Sequence, residues 1–226
     1  MEPERVDPQH ADSDEPGYFG TRLAHDPNRA KVWRHLTAYL ARWIEPGARV
    51  LELGAGWCDF ANELAASGSV AEVVALDSDA TVERAAGPGV VPVVADCTDL
   101  ALFPDQRFDV VFASNLVEHL DREATTRLVD ESRRVLRPGG RLILLQPNFR
   151  LAPGRYFDDY THVSIWTDQS LGDFLSSRGW RLESVEARFL PLTLKSRGAG
   201  LTFLVPWYLR SPVKPLAGQM LLVAAR

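Results

Sequence analysis

The chain has 226 residues, 46% hydrophobic and 24% charged, with a formal net charge of −5. That length suits one compact core rather than two, and the acidic balance argues against a nucleic-acid partner, whose phosphates call for a basic surplus. No apolar run reaches the ~18–20 residues that span a bilayer, and the opening MEPERVDPQHADSDEPG lacks the apolar stretch of a secretion signal, so a cytoplasmic location is expected.

Residues 1–17 are charged and almost free of large apolar side chains, which predicts a flexible tail. Residues 18–226 are then one domain that starts at Tyr18 and Phe19. Within it, residues 18–48 form an N-terminal helical segment. Val32, Leu36, Leu40, Trp43 and Ile44 recur at helical spacing and predict a helix over Asn28–Ile44, started near Asp26-Pro27 and stopped by Pro46-Gly47. Arg49–Leu53 reads as a strand. A glycine turn and a helix through Phe60, Leu64 and Ala65 follow it. Further strands are expected at Val70–Leu76, Val90–Ala95, Phe108–Ala113 and Arg141–Gln146. A helix over Arg122–Leu136 buries Leu128, Val129, Val135 and Leu136, and Pro138-Gly139-Gly140 ends it. Beyond Pro147 the pattern gives a helix at Asp168–Arg178 and strands at Trp180–Ala187 and Met220–Ala225. Arg188–Gln219 is a long connection with an aromatic cluster at Phe203, Trp207 and Tyr208, which reads as core or lid. Strands alternating with helices imply an α/β fold with a parallel sheet. VVALD and VVFAS are apolar enough to be buried on both faces. The two cysteines, Cys58 and Cys97, make no disulfide framework and read as reduced thiols.

The chemistry gathers at strand ends. Glycines in Glu52-Leu53-Gly54-Ala55-Gly56-Trp57-Cys58 permit a sharp turn and a close approach of backbone to ligand. The next strand ends at Asp77, roughly 20 residues on, where a carboxylate can hold two ribose hydroxyls. The third ends at Asp96 and the fourth at Ser114-Asn115. Three polar strand tips on one edge of a sheet fit a binding crevice better than packing. A dinucleotide turn expects G-x-G-x-x-G/A; here the last position is Asp59, a carboxylate where a pyrophosphate would approach. Glu52 just before the glycines suits a ligand bearing cationic groups, as S-adenosylmethionine does.

The stretches VLELGAGWCDF (Val50–Phe60), VVALDSDA (Val73–Ala80), VVADCTDL (Val93–Leu100), FDVVFASNLVEHL (Phe108–Leu120) and RVLRPGGRLIL (Arg134–Leu144), in that order, resemble class I S-adenosylmethionine-dependent methyltransferases. The resemblance implies a three-layer Rossmann-like sandwich whose mostly parallel seven-stranded sheet has an antiparallel last strand. It implies that Glu52, Gly54, Ala55 and Gly56 line the methionine part of the cofactor. Asp77, with Ser78 beside it, would bind the ribose, Asp96 and Cys97 the adenine, and Asn115 would lie near the methionine moiety. Tyr18 would close over the cofactor. The family often has a third glycine where this chain has Cys58.

An alcohol acceptor needs a base for its proton, and His162, His119 and Asp159 are the candidates. His119 follows the fourth strand, and His162 sits in the aromatic segment Arg155–His162. Residues 148–218 would supply the acceptor side and lid. Asp158, Asp159 and His162 do not assemble into a hard-cation site, so no metal is expected. A looser similarity of Leu190–Gln219 to methyltransferases of bacterial glycan and natural-product pathways points to O-methylation of a sugar or secondary-metabolite hydroxyl. N-methylation of a small amine and a non-catalytic cofactor-binding subunit stand as alternatives. The expected partner is a small-molecule acceptor, with a homodimer left open.

Overall fold

The computed structural model describes residues 27–191 and 202–226. The tail over 1–17, Tyr18 and Phe19 lie outside the described residues. Helix α1 (Pro27–Leu40) runs into a 3-10 turn at Ala41–Trp43, so the predicted helix to Ile44 tightens in its last turn. β1 (Arg49–Leu53), α2 (Asp59–Ala66), β2 (Glu72–Asp77), a short α3 (Thr81–Ala85), β3 (Val90–Val94) and β4 (Phe108–Ser114) follow. Then come α4 (Arg122–Val135), β5 (Leu136–Pro147), α5 (Pro153–Tyr156), α6 (Asp168–Ser177), β6 (Arg181–Glu186), α7 (Val205–Arg210) and β7 (Gln219–Ala225).

The seven strands form one sheet in the order β3-β2-β1-β4-β5-β7-β6. Pairs β1–β2, β1–β4, β2–β3 and β4–β5 are parallel, and β7 runs antiparallel to both β5 and β6. The mostly parallel sheet with an antiparallel last strand is therefore present. The order reverses between β1 and β4. In open α/β sheets a ligand crevice lies at such a point, beyond the carboxyl ends of the strands.

Strand residues alternate between two cores, as a period of two requires. Val50, Val73, Ala75, Val110, Phe112, Ile143, Leu221 and Val223 pack with Trp33, Leu36 and Leu40 of α1, with Phe60 and Leu64 of α2, and with Val205 and Leu209 of α7. Leu51, Leu53, Val74, Leu76, Val111, Leu142, Leu144 and Leu222 pack on the other face with Leu128 and Val129 of α4, Leu171 and Leu175 of α6, and Trp166. β7 is buried along its whole length, whereas the edge strand β6 alternates exposed and half-buried residues.

Two expectations shift. Leu136 opens β5 instead of closing α4, and the β4–β5 register slips between Phe108 and Val110. Gly140 permits this tight path, because a Cβ there would lie 2.9 Å from the Arg137 carbonyl oxygen and 3.0 Å from that of Asp109. In the aromatic cluster, α7 buries Val205 and Leu209 but leaves Trp207 (77%) exposed, since so short a helix has only one inward face, and Phe203 (65%) is exposed on the 3-10 turn at Thr202–Leu204 before it. Among the described residues no helix is long and apolar enough to cross a membrane.

Candidate active site

The turn after β1 is built from left-handed residues: Gly54 (φ 67°), Gly56 (φ 53°) and Cys58 (φ 54°). A side chain pays for this conformation at Cys58, the position where a glycine would be free of strain. Gly54 is confined further, because a Cβ there would meet Leu116 Cδ1 at 2.9 Å. The turn is tied to β2 by two bonds. Ala55 N–H donates to the Leu76 carbonyl (3.0 Å), and Gly56 N–H donates to Asp77 Oδ2 (2.8 Å). Asp77 Oδ1 accepts from the Asp79 amide (2.9 Å). Asp77 is half-buried and Ser78 beside it is exposed, so both stand at the crevice edge.

Glu52 is buried below the turn. Its Oε2 accepts the Ala61 N–H (3.0 Å), one of the donors in the first turn of α2 that have no partner within the helix. It thereby does the capping that the Cys58 side chain does not do. Burial pushes its carboxyl well above the usual carboxylate range; the Ala61 bond opposes this, and the charges of Asp59 and Asp77 add to it. Asp59 forms a 2.9 Å ion pair with Arg29, whose side chain is 10% exposed. The negative charge set against a pyrophosphate is thus balanced in part by α1.

Asp96, exposed beyond β3, accepts the Thr98 amide (2.7 Å). Burial pushes the neighbouring Cys97 thiol up to about 12, with the charges of Asp96 and Asp77 contributing. Cys58 is pushed up to about 12 in the same way, by burial and then by Glu52. Asn115 adopts φ 49°, its amide donates to the Leu145 carbonyl (2.8 Å), and its Oδ1 accepts from Gln219 Nε2 (2.8 Å). Buried Gln146 holds the next residue, accepting the Leu116 amide at 3.1 Å.

A second group lies just past β4, on a 3-10 turn at Val117–His119. His162 Nδ1 is 2.5 Å from the Tyr156 carbonyl oxygen. A carbonyl only accepts, so that nitrogen carries a proton, and in the neutral ring the lone pair falls to Nε2. Thr161 Oγ1 donates to Asp159 Oδ1 (2.6 Å). His119 Nδ1 stands 2.9 Å from that hydroxyl oxygen and 3.2 Å from the Thr161 carbonyl, and so it too is the protonated nitrogen. The two imidazole rings meet edge to face at 4.9 Å. Burial raises Asp159, but the Thr161 bonds and the nearby His162 and His119 outweigh it and hold its carboxyl below the usual range. Glu118, 1% exposed, accepts the Val163 and Ser164 amides on its carbonyl and places Oε1 4.0 Å from His119 Nε2. His119, His162 and Asp159 are thus brought together. Glu118, Thr161, Gln146 and Gln219 join the site without having been singled out from the sequence.

Residues 51–144 match the family described as Methyltransferase domain. The chain is similar to malonyl-[acyl-carrier protein] O-methyltransferase of Methylococcus capsulatus, 34% identical over 173 residues that cover 71% of this chain and 62% of that protein. It is also 33% identical over 169 residues to a ubiquinone/menaquinone biosynthesis C-methyltransferase of Bordetella avium, covering 69% of this chain and 63% of that protein. The chain thus spans less than two thirds of either relative. In fold it resembles a SAM-dependent methyltransferase from Archaeoglobus fulgidus, with a TM-score of 0.64 at 20% identity, over 85% of this chain and 94% of the other.

Proposed function

From the match of residues 51–144 to the family described as Methyltransferase domain, we propose that the chain is an S-adenosylmethionine-dependent methyltransferase acting on a hydroxyl of a small molecule, such as a sugar or secondary metabolite. The observation that carries this is the strand-tip arrangement. Asp77 ends β2, Asp96 stands two residues past the end of its parallel neighbour β3, and the Asp77 carboxylate is locked to the glycine turn at the point where the strand order reverses. In this proposal Asp77 and Ser78 hold the ribose, and Asp96 and Cys97 face the adenine. Gly54, Ala55 and Gly56 present backbone to the methionine part, with Glu52 beneath them and Asn115 across the crevice. Two free thiols fit a reducing compartment, here the cytoplasm.

Bound S-adenosylmethionine would supply a methyl group made electrophilic by its sulfonium, with S-adenosylhomocysteine as the leaving product, and the proton of the acceptor hydroxyl would have to pass to another group. Alignment supplies much of the rate. His162 and His119, steadied through Thr161 and Asp159, are the groups we assign to activating that hydroxyl.

Calorimetry with S-adenosylmethionine, S-adenosylhomocysteine and NAD tests the cofactor. The first two should bind and NAD should not. Asp77→Ala should weaken binding by ~1–3 kcal/mol through lost charged hydrogen bonds, and unchanged affinity rules out its role. His162→Ala should slow turnover with cofactor affinity nearly intact. A mass screen over alcohols, amines and carbon acids should show a methyl gained by alcohols; gain by amines or carbon acids alone overturns the oxygen assignment.

A further inference from the structure

We propose that Glu118, His119 and His162 form a binding site for a divalent transition-metal cation, which holds and activates the oxygen acceptor. One ring nitrogen from each histidine and one carboxylate oxygen of Glu118 lie within 4.8 Å of one another. Bonds of about 2.1 Å around a tetrahedral ion place its ligands about 3.4 Å apart, so a small closing of side chains completes the shell. The chemistry of the three groups agrees. Each imidazole spends its Nδ1 proton on a fixed acceptor: Tyr156 O at 2.5 Å for His162, and Thr161 Oγ1 at 2.9 Å for His119. The lone pair is thereby assigned to Nε2 on both rings. Metal-ligating histidines carry this outer bond as a rule, because it fixes the tautomer and aims the ring. For His119 the relay extends outward, since the Thr161 hydroxyl is itself held by Asp159. Glu118 contributes a carboxylate oxygen that is almost wholly withdrawn from water, where a bound cation would favour the ionised form.

Two neutral imidazoles and one carboxylate are the donor set of open, catalytic zinc sites and of non-haem iron sites, in which protein supplies three ligands and leaves a position for water or substrate. Magnesium, which prefers oxygen alone and ideal octahedral geometry, is a poor match. This set differs from the Asp158, Asp159 and His162 grouping, which carries no expectation of metal. The hard-oxygen pattern is absent there, and a softer one is assembled when the turn after β4 meets the segment after α5.

The placement ties the ion to the transfer reaction, and in this respect it rests on the function proposed above. Leu116, two residues before Glu118, packs against Gly54 of the cofactor turn. An acceptor oxygen in the open position would therefore be held beside the crevice. A cation lowers the pKa of an oxygen bound to it, so the hydroxyl proton departs to solvent and the imidazoles serve as ligands.

The test begins with metal-stripped full-length protein dialysed against Zn2+, Mn2+ or Mg2+ and assayed by elemental analysis. Stoichiometric zinc per chain is expected, with magnesium held more weakly. Cobalt substitution should give the visible bands of a low-coordinate site. His162→Gln and Glu118→Gln should each weaken zinc binding at least tenfold, and Thr161→Val, which removes only the outer support, should weaken it 10–100-fold. Calorimetry with S-adenosylmethionine on the same variants confirms that they are folded. Sub-stoichiometric zinc and manganese in the wild type overturn the site, as does wild-type zinc affinity in His162→Gln. If zinc binds but S-adenosylmethionine does not, the metal site stands and the transferase proposal fails.

Discussion

Single residues set the shape of the cofactor turn. Gly54 combines φ 67° with a neighbour 2.9 Å from where a Cβ would lie. The left-handed backbone alone costs a side chain ~1–2 kcal/mol. Leu116 presents the flexible end of its side chain to that space, so Gly54→Ala should fold, with stability lower by about that amount in urea melts and cofactor affinity reduced in calorimetry. Equal stability would mean that the turn relaxes out of its left-handed form. Residue by residue, the strand-tip groups were legible because they interrupt apolar runs: Asp77, Asp96 and Asn115 stand out against VVALD, VVAD and VVFASN. Buried polar groups were not legible. Glu118 belongs to a stretch already marked by Asn115 and His119, yet a glutamate in a turn reads as solvated until the fold withdraws it to 1% exposure. Gln146 is read as a strand residue and Gln219 as the end of the long connection, and the pairing of β5 with β7 is what turns their amides toward Leu116 and Asn115.

At the scale of elements, α4 does more than cover the sheet. Its Arg134 donates to Glu131 and Asp105 and to the carbonyls of Leu100 and Phe103. Glu131 in turn accepts the Leu100 amide at 3.1 Å. The connection from β3 to β4, which carries Asp96, is therefore fastened to the helix by two side chains, Arg134 and Glu131. Arg134→Ala should lower stability by ~1–3 kcal/mol, because several charge-assisted bonds go and partly buried acceptors are left. Denaturant melts measure the loss, and weaker binding of adenosine-containing ligands should accompany it. A stability change under ~0.5 kcal/mol, the usual scale for an unconstrained surface site, would show that the connection holds itself. Hydrophobic period located most long elements within a residue or two, but it ran α1 on to Ile44 and began β5 five residues late, at Arg141 instead of Leu136. It missed α3, α5 and α7, which have too few turns to display a period. It also closed α4 one residue late, since Leu136 is apolar whichever element it joins.

For the molecule as a whole, the groups whose charged forms folding suppresses fix the alkaline limit. Burial pushes Cys58 and Cys97 up to about 12, and burial with a 2.7 Å bond to Glu186 does the same for the Tyr39 phenol. An unfolded chain ionises its thiols near ~8.5. Above that pH the folded state binds more protons than the unfolded one. The stability these groups contribute is therefore complete below about 8.5 and falls as pH rises toward 12. The urea midpoint should drop between pH 7.5 and pH 10, and less steeply in a Cys58→Ala, Cys97→Ala double variant; identical slopes would remove the thiols from the account. The same burial predicts slow alkylation of both cysteines by iodoacetamide at pH 8 until denaturant is added. The strand order has a further consequence for biosynthesis. β7 follows β6 in the chain but lies between β5 and β6. While residues 219–225 are still inside the ribosome, β6 has nothing to join, and the open flank of β5 is exposed to the cell's chaperones.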